Sequence, residues 1–396
     1  MSTKLTFAPA DILLPKGDYS HWACIACDQF TSQRDYWERA YEQSSGVPSA
    51  LNLILPEVYL EDEDAQQRVQ AINAKMREYL DGDVFDEYKN AMICVERTQP
   101  DGRVRRGIVG AFALADYSYT TGEKALIRPT EGTVLSRIPP RVAIRRNAPL
   151  ELPHIMIFMD DKKRGIIEGI DTSRLKMLYD FDLMLGGGHI RGWLIDEKEQ
   201  QRILTLLAAL EEESGQGDDK LLYAVGDGNH SLATAKAAAA EIGTEAAQYA
   251  LAELVNIHSE AISFEPIYRV LFNADVQDVI SAVRAHFALP EGNKVQYFAG
   301  DESGTFYVSG FEAGEVQRFI DDYMAQHPNV RVDYIHGEDA LRALASQPDA
   351  VGFIYDGIDK NQLFSYVREN GILPRKSFSV GHAEDKRYYI EARRIQ

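Results

Sequence analysis

Residues 223–240 read YAVGDGNHSLATAKAAAA. An apolar run stops at Gly226, and an alanine-rich run begins a few residues later. This pattern predicts a buried strand, LLYAV, passing through a tight loop into a helix. Gly228 permits the tight path, and Asp227 or Asn229 is placed to cap the helix. A helix start offers unpaired N–H groups and a positive dipole end, which suit an anion or a phosphate. Asp227 there could hold Mg²⁺ or accept a proton, and His230 titrates near neutral pH. The bland alternative is a capped helix with a chance histidine.

The rest of the chain predicts an α+β protein with mixed sheets. Residues 61–82, EDEDAQQRVQAINAKMREYLDG, have the amphipathic helical pattern, with acids at the N-terminal end and Gly82 as the stop. Residues 90–127 alternate as strands. Residues 197–213 read as a helix, and two more helices are expected at about 230–242 and 245–257, separated by Gly243. From residue 262 the order strand, helix, strand, strand, helix, strand matches the ferredoxin-like β-α-β-β-α-β unit. Three regions are expected: 1–125, an N-terminal α+β region; 126–261, a central region with the Asp227 motif; and 262–396, a C-terminal α/β region.

The net charge of −19 argues against nucleic-acid or anionic-membrane partners, which need a basic face. No apolar stretch suits a signal peptide or a bilayer span, so a cytoplasmic protein is expected. Against that charge, Arg128, Arg137, Arg141, Arg145 and Arg146 form a local positive island close to Glu131. Arginine forks bind phosphate and carboxylate. Glu131, between Thr130 and Gly132, is a candidate base. A basic surface loop paired with the acidic body explains the same residues equally well.

Three weaker signals remain. Three glycines precede His189 and Arg191, and successive small-residue amides can form an anion nest; a tight turn is the simpler reading. Lys376 and Ser377 follow Pro374, where the lysine could neutralise a phosphate. Cys24 and Cys27 form a C-x-x-C, the spacing of a redox pair or half a zinc site, although no second pair completes the latter.

Taken together, these motifs resemble the bacterial and archaeal family called domain of unknown function 1015. The likeness rests on Asp227-Gly228-Asn229-His230-Ser231, Thr130-Glu131-Gly132-Thr133, Pro266-Ile267-Tyr268-Arg269 and Lys376-Ser377. The first motif also looks like the Asp-Gly-His-His-Arg signature of the ParB/sulfiredoxin-like superfamily, which includes free-serine kinases. Asn229 stands for the first His and Ser231 for the Arg, so one phosphate fork is missing. This resemblance implies nucleotide-dependent phosphoryl transfer to a small hydroxyl-bearing or anionic molecule, such as free serine, with ATP or ADP and Mg²⁺.

On that reading Asp227, His230 and Glu131 are the catalytic candidates, with Asp227 also the Mg²⁺ ligand. Gly228, Asn229, Ser231, Arg128, Arg141, His189, Arg191 and Lys376 are the phosphate or anion contacts. Two alternatives stay open. One is a non-catalytic nucleotide or small-anion binding protein; the other is a thiol-dependent reductase acting through Cys24 and Cys27.

Overall fold

The computed structural model describes residues 5–215 and 217–396. Its fold is α+β with mixed sheets, as the sequence predicts. The chain divides into two compact units: Met1–Ile262 together with His382–Gln396, and Ser263–Gly381. The second is thus an insertion within the first.

The first unit is built on a nine-stranded sheet. Its strands are β1 (Phe7–Ala8), β2 (Ile93–Thr98), β3 (Val104–Ala113), β4 (Ile127–Pro129), β5 (Met156–Met159), β6 (Lys176–Asp182), β7 (His189–Leu194), β8 (Tyr223–Asp227) and β9 (Tyr249–Asn256). The spatial order is β6-β7-β2-β3-β9-β5-β8-β4, with β1 beside β3. Two neighbouring pairs, β8–β4 and β9–β5, are parallel; the rest are antiparallel. Segments 1–125 and 126–261, which read as separate regions in sequence, both contribute strands to this one sheet.

Residues 249–256 are the central strand β9, not the helix their alanines suggest. Leu251 packs into one apolar core, while Ala250, Ala252 and Leu254 pack into the other. That two-residue alternation is what a strand between two covered faces requires. Alanine's helix propensity is a weak prior beside two ladders of backbone hydrogen bonds.

A buried charge network holds the C-terminal segment in the first unit. Arg105 Nε lies 3.2 Å from Glu253 Oε1, and Arg387 Nε lies 3.0 Å from Glu253 Oε2. Arg387 also reaches Glu391 Oε2 at 2.5 Å, and the Tyr179 hydroxyl donates to Glu391 Oε1 at 2.8 Å. Arg97 donates to the carbonyls of Glu384, Asp385 and Lys386. Gly107 makes room for this network, because a Cβ there would stand 2.5 Å from Glu253 Oε1. The segment 388–389 then pairs with the short strand Cys24–Ile25, placing Tyr389 opposite Cys24.

The second unit has a sheet of β10 (Phe264–Phe272), β11 (Asn293–Ala299), β12 (Glu302–Val308), β13 (Arg331–His336), β14 (Val351–Tyr355) and β15 (Phe378–Val380). Its order is β12-β11-β14-β10-β13, with β15 beside β10. The β-α-β-β-α-β succession runs from β10 to β13, with helices Val276–His286 and Glu312–Gln326. Strand β14 lies antiparallel to both β10 and β11. It therefore fills the gap between two parallel strands, the mark of a split β-α-β unit.

Candidate functional site

Strand β8 is buried from Tyr223 to Gly226 and ends at Asp227. Its pairing with β5 shifts register between Val225 and Asp227. An irregularity of this kind re-aims the side chain that follows it. Gly228 comes next, with φ +81° and ψ 28°, and a Cβ there would meet Ile155 at 3.0 Å. Only glycine adopts this left-handed turn against that wall at low cost. The helix Asn229–Ile242 starts immediately after it. Neither Asp227 nor Asn229 is its cap: the N-cap is Gly228, which has no side chain to offer. No acidic residue occupies the first turn. The positive end of the helix is therefore not neutralised from within.

Asp227 Oδ2 is buried without a hydrogen-bond partner, and Lys386 Nζ stands 3.4 Å away. Asn229 Oδ1 is likewise buried and unpartnered. His230 Nε2 accepts the Val134 N–H at 3.2 Å, which puts the ring proton on Nδ1. Thr130 donates its hydroxyl to the Val225 carbonyl at 2.8 Å. Together these bonds bring the half-buried Glu131 and its loop to the corner that holds Asp227 and His230.

Four further residues complete this corner. Ser231 Oγ lies 3.0 Å from His154 Nε2, and His154 Nδ1 lies 2.7 Å from the Tyr389 hydroxyl. That hydroxyl also accepts the Cys27 N–H at 3.2 Å. Asp28 lies in the electrostatic field of His154 and Lys386. Burial alone would raise the Asp28 carboxyl, but His154, the Gln29 amide and Lys386 outweigh it and hold it below the usual carboxylate range. Asp28, His154, Lys386 and Tyr389 are not evident from the sequence motifs. The available signal is that Asp28 comes three residues after the short buried strand Cys24–Ile25, as Asp227 comes at the end of one.

The other sequence candidates lie elsewhere or are already engaged. Arg128 is buried and donates to the Ala125 and Lys220 carbonyls at 3.0 and 3.1 Å. Arg141 pairs with Glu57, and Arg145 with Glu151. Arg146 pairs with Glu241 at 2.5 Å. Three arginines of the positive island are thus neutralised by acids, two of them distant in sequence. His189 and Arg191 lie on β7, with four strands between them and β8. His189 sits between Asp180 and Asp182, at 2.7 Å from each, and Arg191 lies 3.4 Å from Asp180. Lys376 belongs to the second unit, with φ +58°, and its carbonyl accepts from the buried Arg269 at 2.9 Å.

Both cysteines of the C-x-x-C are free thiols. Burial pushes Cys24 well up, and burial with the adjacent Asp28 charge pushes Cys27 up to about 12. Neither thiol is ionised near neutral pH, which disfavours thiolate chemistry. Among the described residues, no three His, Cys, Asp or Glu side chains group as a metal site. No helix among them is long and apolar enough to cross a membrane.

A two-unit α+β protein with a polar corner at a strand–glycine–helix junction is the class these features define. The chain belongs to the family described as protein of unknown function (DUF1015), whose model matches residues 8–359. No curated protein matches it. Among solved structures it is similar to a free serine kinase in complex with AMP, at 11% identity and a TM-score of 0.41, covering 71% of this chain and 90% of that one. It is also similar to C-terminally truncated SbnI from Staphylococcus aureus, at 10% identity and a TM-score of 0.38, covering 69% and 82%. A conserved hypothetical protein from Pyrococcus furiosus matches at 12% identity and a TM-score of 0.35, covering 67% and 88%.

Proposed function

We propose that this protein is a small-molecule phosphotransferase working at the corner of Asp227, Asp28 and Lys386. A nucleoside di- or triphosphate is the donor and a small hydroxyl-bearing molecule, such as free serine, the acceptor. The observation that carries this reading is the buried Asp227–Lys386 ion pair, in which Asp227 Oδ2 accepts no hydrogen bond, at the start of a helix with no acid in its first turn. Phosphoryl transfer depends on charge neutralisation and positioning more than on covalent chemistry. The helix start and Lys386 receive the phosphate charge.

Asp227 offers one buried carboxylate oxygen that accepts no hydrogen bond and is paired with a lysine at 3.4 Å. That suits Mg²⁺ arriving with the phosphates, held by one or two carboxylates, and not a cage made by protein alone. When bound, the ion neutralises charge on the phosphate oxygens. Asp28, kept ionised beside Lys386, orients the acceptor hydroxyl and takes its proton. Glu131, from its loop, and His230, from the first turn of the helix, serve the same corner.

The test is calorimetric titration with ATP and ADP, with and without Mg²⁺, followed by turnover of Asp227→Asn with serine and other hydroxyl acceptors. Micromolar binding, with turnover lost in a folded variant, is the expected result. Absence of nucleotide binding, or full turnover in the variant, overturns the proposal.

A further inference from the structure

Ser231 and His154 have an arrangement that nucleotide binding does not require. Ser231 is the third residue of its helix and is half-buried. Its Oγ lies 3.0 Å from Nε2 of His154, which is 7% exposed. The other ring nitrogen lies 2.7 Å from the hydroxyl of Tyr389, which is 2% exposed. The two rings meet edge-on, at 84° with centroids 5.4 Å apart. Strand β5, two residues on, fixes His154, and pairing with Cys24 fixes Tyr389. A hydroxyl, a base within hydrogen-bond distance and a third group orienting that base make up an activated nucleophile. The Asp28 carboxylate interacts with the same imidazole through its charge and would stabilise it when protonated.

We propose that Ser231 is a nucleophile activated by His154, and that the protein transfers its phosphoryl group through a phosphoseryl intermediate on Ser231. This rests on the phosphotransferase reading for the identity of the donor. A phosphoryl group is the fitting electrophile because the hydroxyl stands in the first turn of a helix that carries no acid there, beside the corner holding Lys386.

In the first step the Ser231 Oγ–P bond forms and the donor's bridging P–O bond breaks. The nucleotide leaves with the bonding pair, and the Ser231 proton passes to His154 Nε2. In the second step the acceptor oxygen attacks phosphorus and the Ser231 Oγ–P bond breaks. Ser231 recovers its proton from His154, and Asp28 takes the acceptor's proton. No oxidant, reductant or other co-reactant is needed.

The test treats the full chain with an alkyl fluorophosphonate, locates the adduct by peptide mass spectrometry, and repeats the experiment with γ-labelled ATP. A single adduct on Ser231 is expected. It should be lost in Ser231→Ala, retained at that position in Ser231→Cys, and formed about 10²–10⁴-fold more slowly in His154→Gln. Circular dichroism confirms that each variant is folded. No adduct on Ser231 in the folded protein, or full nucleotide-dependent turnover in Ser231→Ala, overturns the nucleophile and leaves the phosphotransferase reading standing. An adduct on Ser231 in a protein that binds neither ATP nor ADP supports the nucleophile and overturns the phosphotransferase reading.

Discussion

Lys386 Nζ lies 3.4 Å from Asp227 Oδ2, so a residue close to the C-terminus completes the charge at a strand end 159 positions earlier. Both side chains are largely buried, at 10% and 15% exposure. Lys386 is held there through its own backbone, whose carbonyl accepts from Arg97. The ammonium's charge also lowers the Asp28 carboxyl. One cation therefore serves two carboxylates.

Lys386→Met should separate binding from folding. It keeps the side-chain length and removes the charge that offsets Asp227 and Asp28. We expect nucleotide affinity to fall by at least tenfold, because phosphate would then enter beside two uncompensated carboxylates. Calorimetric titration measures this. Affinity equal to that of the parent would mean Lys386 does not face the phosphate.

Asp28→Asn should remove turnover by about 10²–10⁴-fold and leave nucleotide affinity within a few-fold, the pattern of a lost proton acceptor. The pH profile gives a second check. Since the folded Asp28 carboxyl lies below its ordinary value of about 3.9, it stays ionised as pH falls through 5 and 4. Any acid limb of kcat/KM belonging to this residue must therefore lie below about pH 4. An acid limb near pH 6 that disappears in Asp28→Asn would contradict the assignment.

The sequence shows those parts of this corner that are local. The strand end, the glycine turn and the helix boundary at 227–229 each depend on neighbours within a few residues, and the pattern reveals them. The remainder is assembled from afar: Tyr389 meets His154 across 235 positions and the Cys27 N–H across 362. No short window carries such a contact. The arginine island misleads for the same reason, since its acidic partners Glu57, Glu151 and Glu241 come from other elements. Strand β9 reads as a helix because Ala250, Leu251 and Ala252 are apolar on both sides, and a strand covered on both faces has lost the alternation that would identify it.

Glu253→Gln should be among the more destabilising single changes in the first unit. It leaves Arg105 and Arg387 buried beside a neutral amide, and breaking a buried pair of this kind costs roughly 3–5 kcal/mol. Burial works against the Glu253 charge, but the two arginines outweigh it and hold the carboxyl below its ordinary value. Glu151, between Arg145 and Arg393, is lowered in the same way. The unfolded chain therefore takes up these protons first as pH falls. The contribution of both groups is complete above the unfolded value of about 4.3 and disappears as pH falls through the lower folded values. Denaturant melts between pH 7 and pH 3 should show stability declining in that window, with a shallower decline in Glu253→Gln. A decline of equal slope in parent and variant would remove Glu253 from this role.

Gly228→Ala tests the turn on which the corner depends. At φ +81° an L-residue carries a left-handed penalty of about 1–2 kcal/mol. Its Cβ would also stand 3.0 Å from the Ile155 side chain, so Ile155 must give way. Ile155 is the neighbour of His154, and any shift there moves the imidazole relative to Ser231. The variant should lose stability by that small amount in denaturant melts. It should lose much more of its reactivity, with fluorophosphonate labelling at Ser231 slowed by at least tenfold. Labelling at the parent rate in a measurably destabilised variant would show that the Ser231–His154 geometry does not depend on this turn.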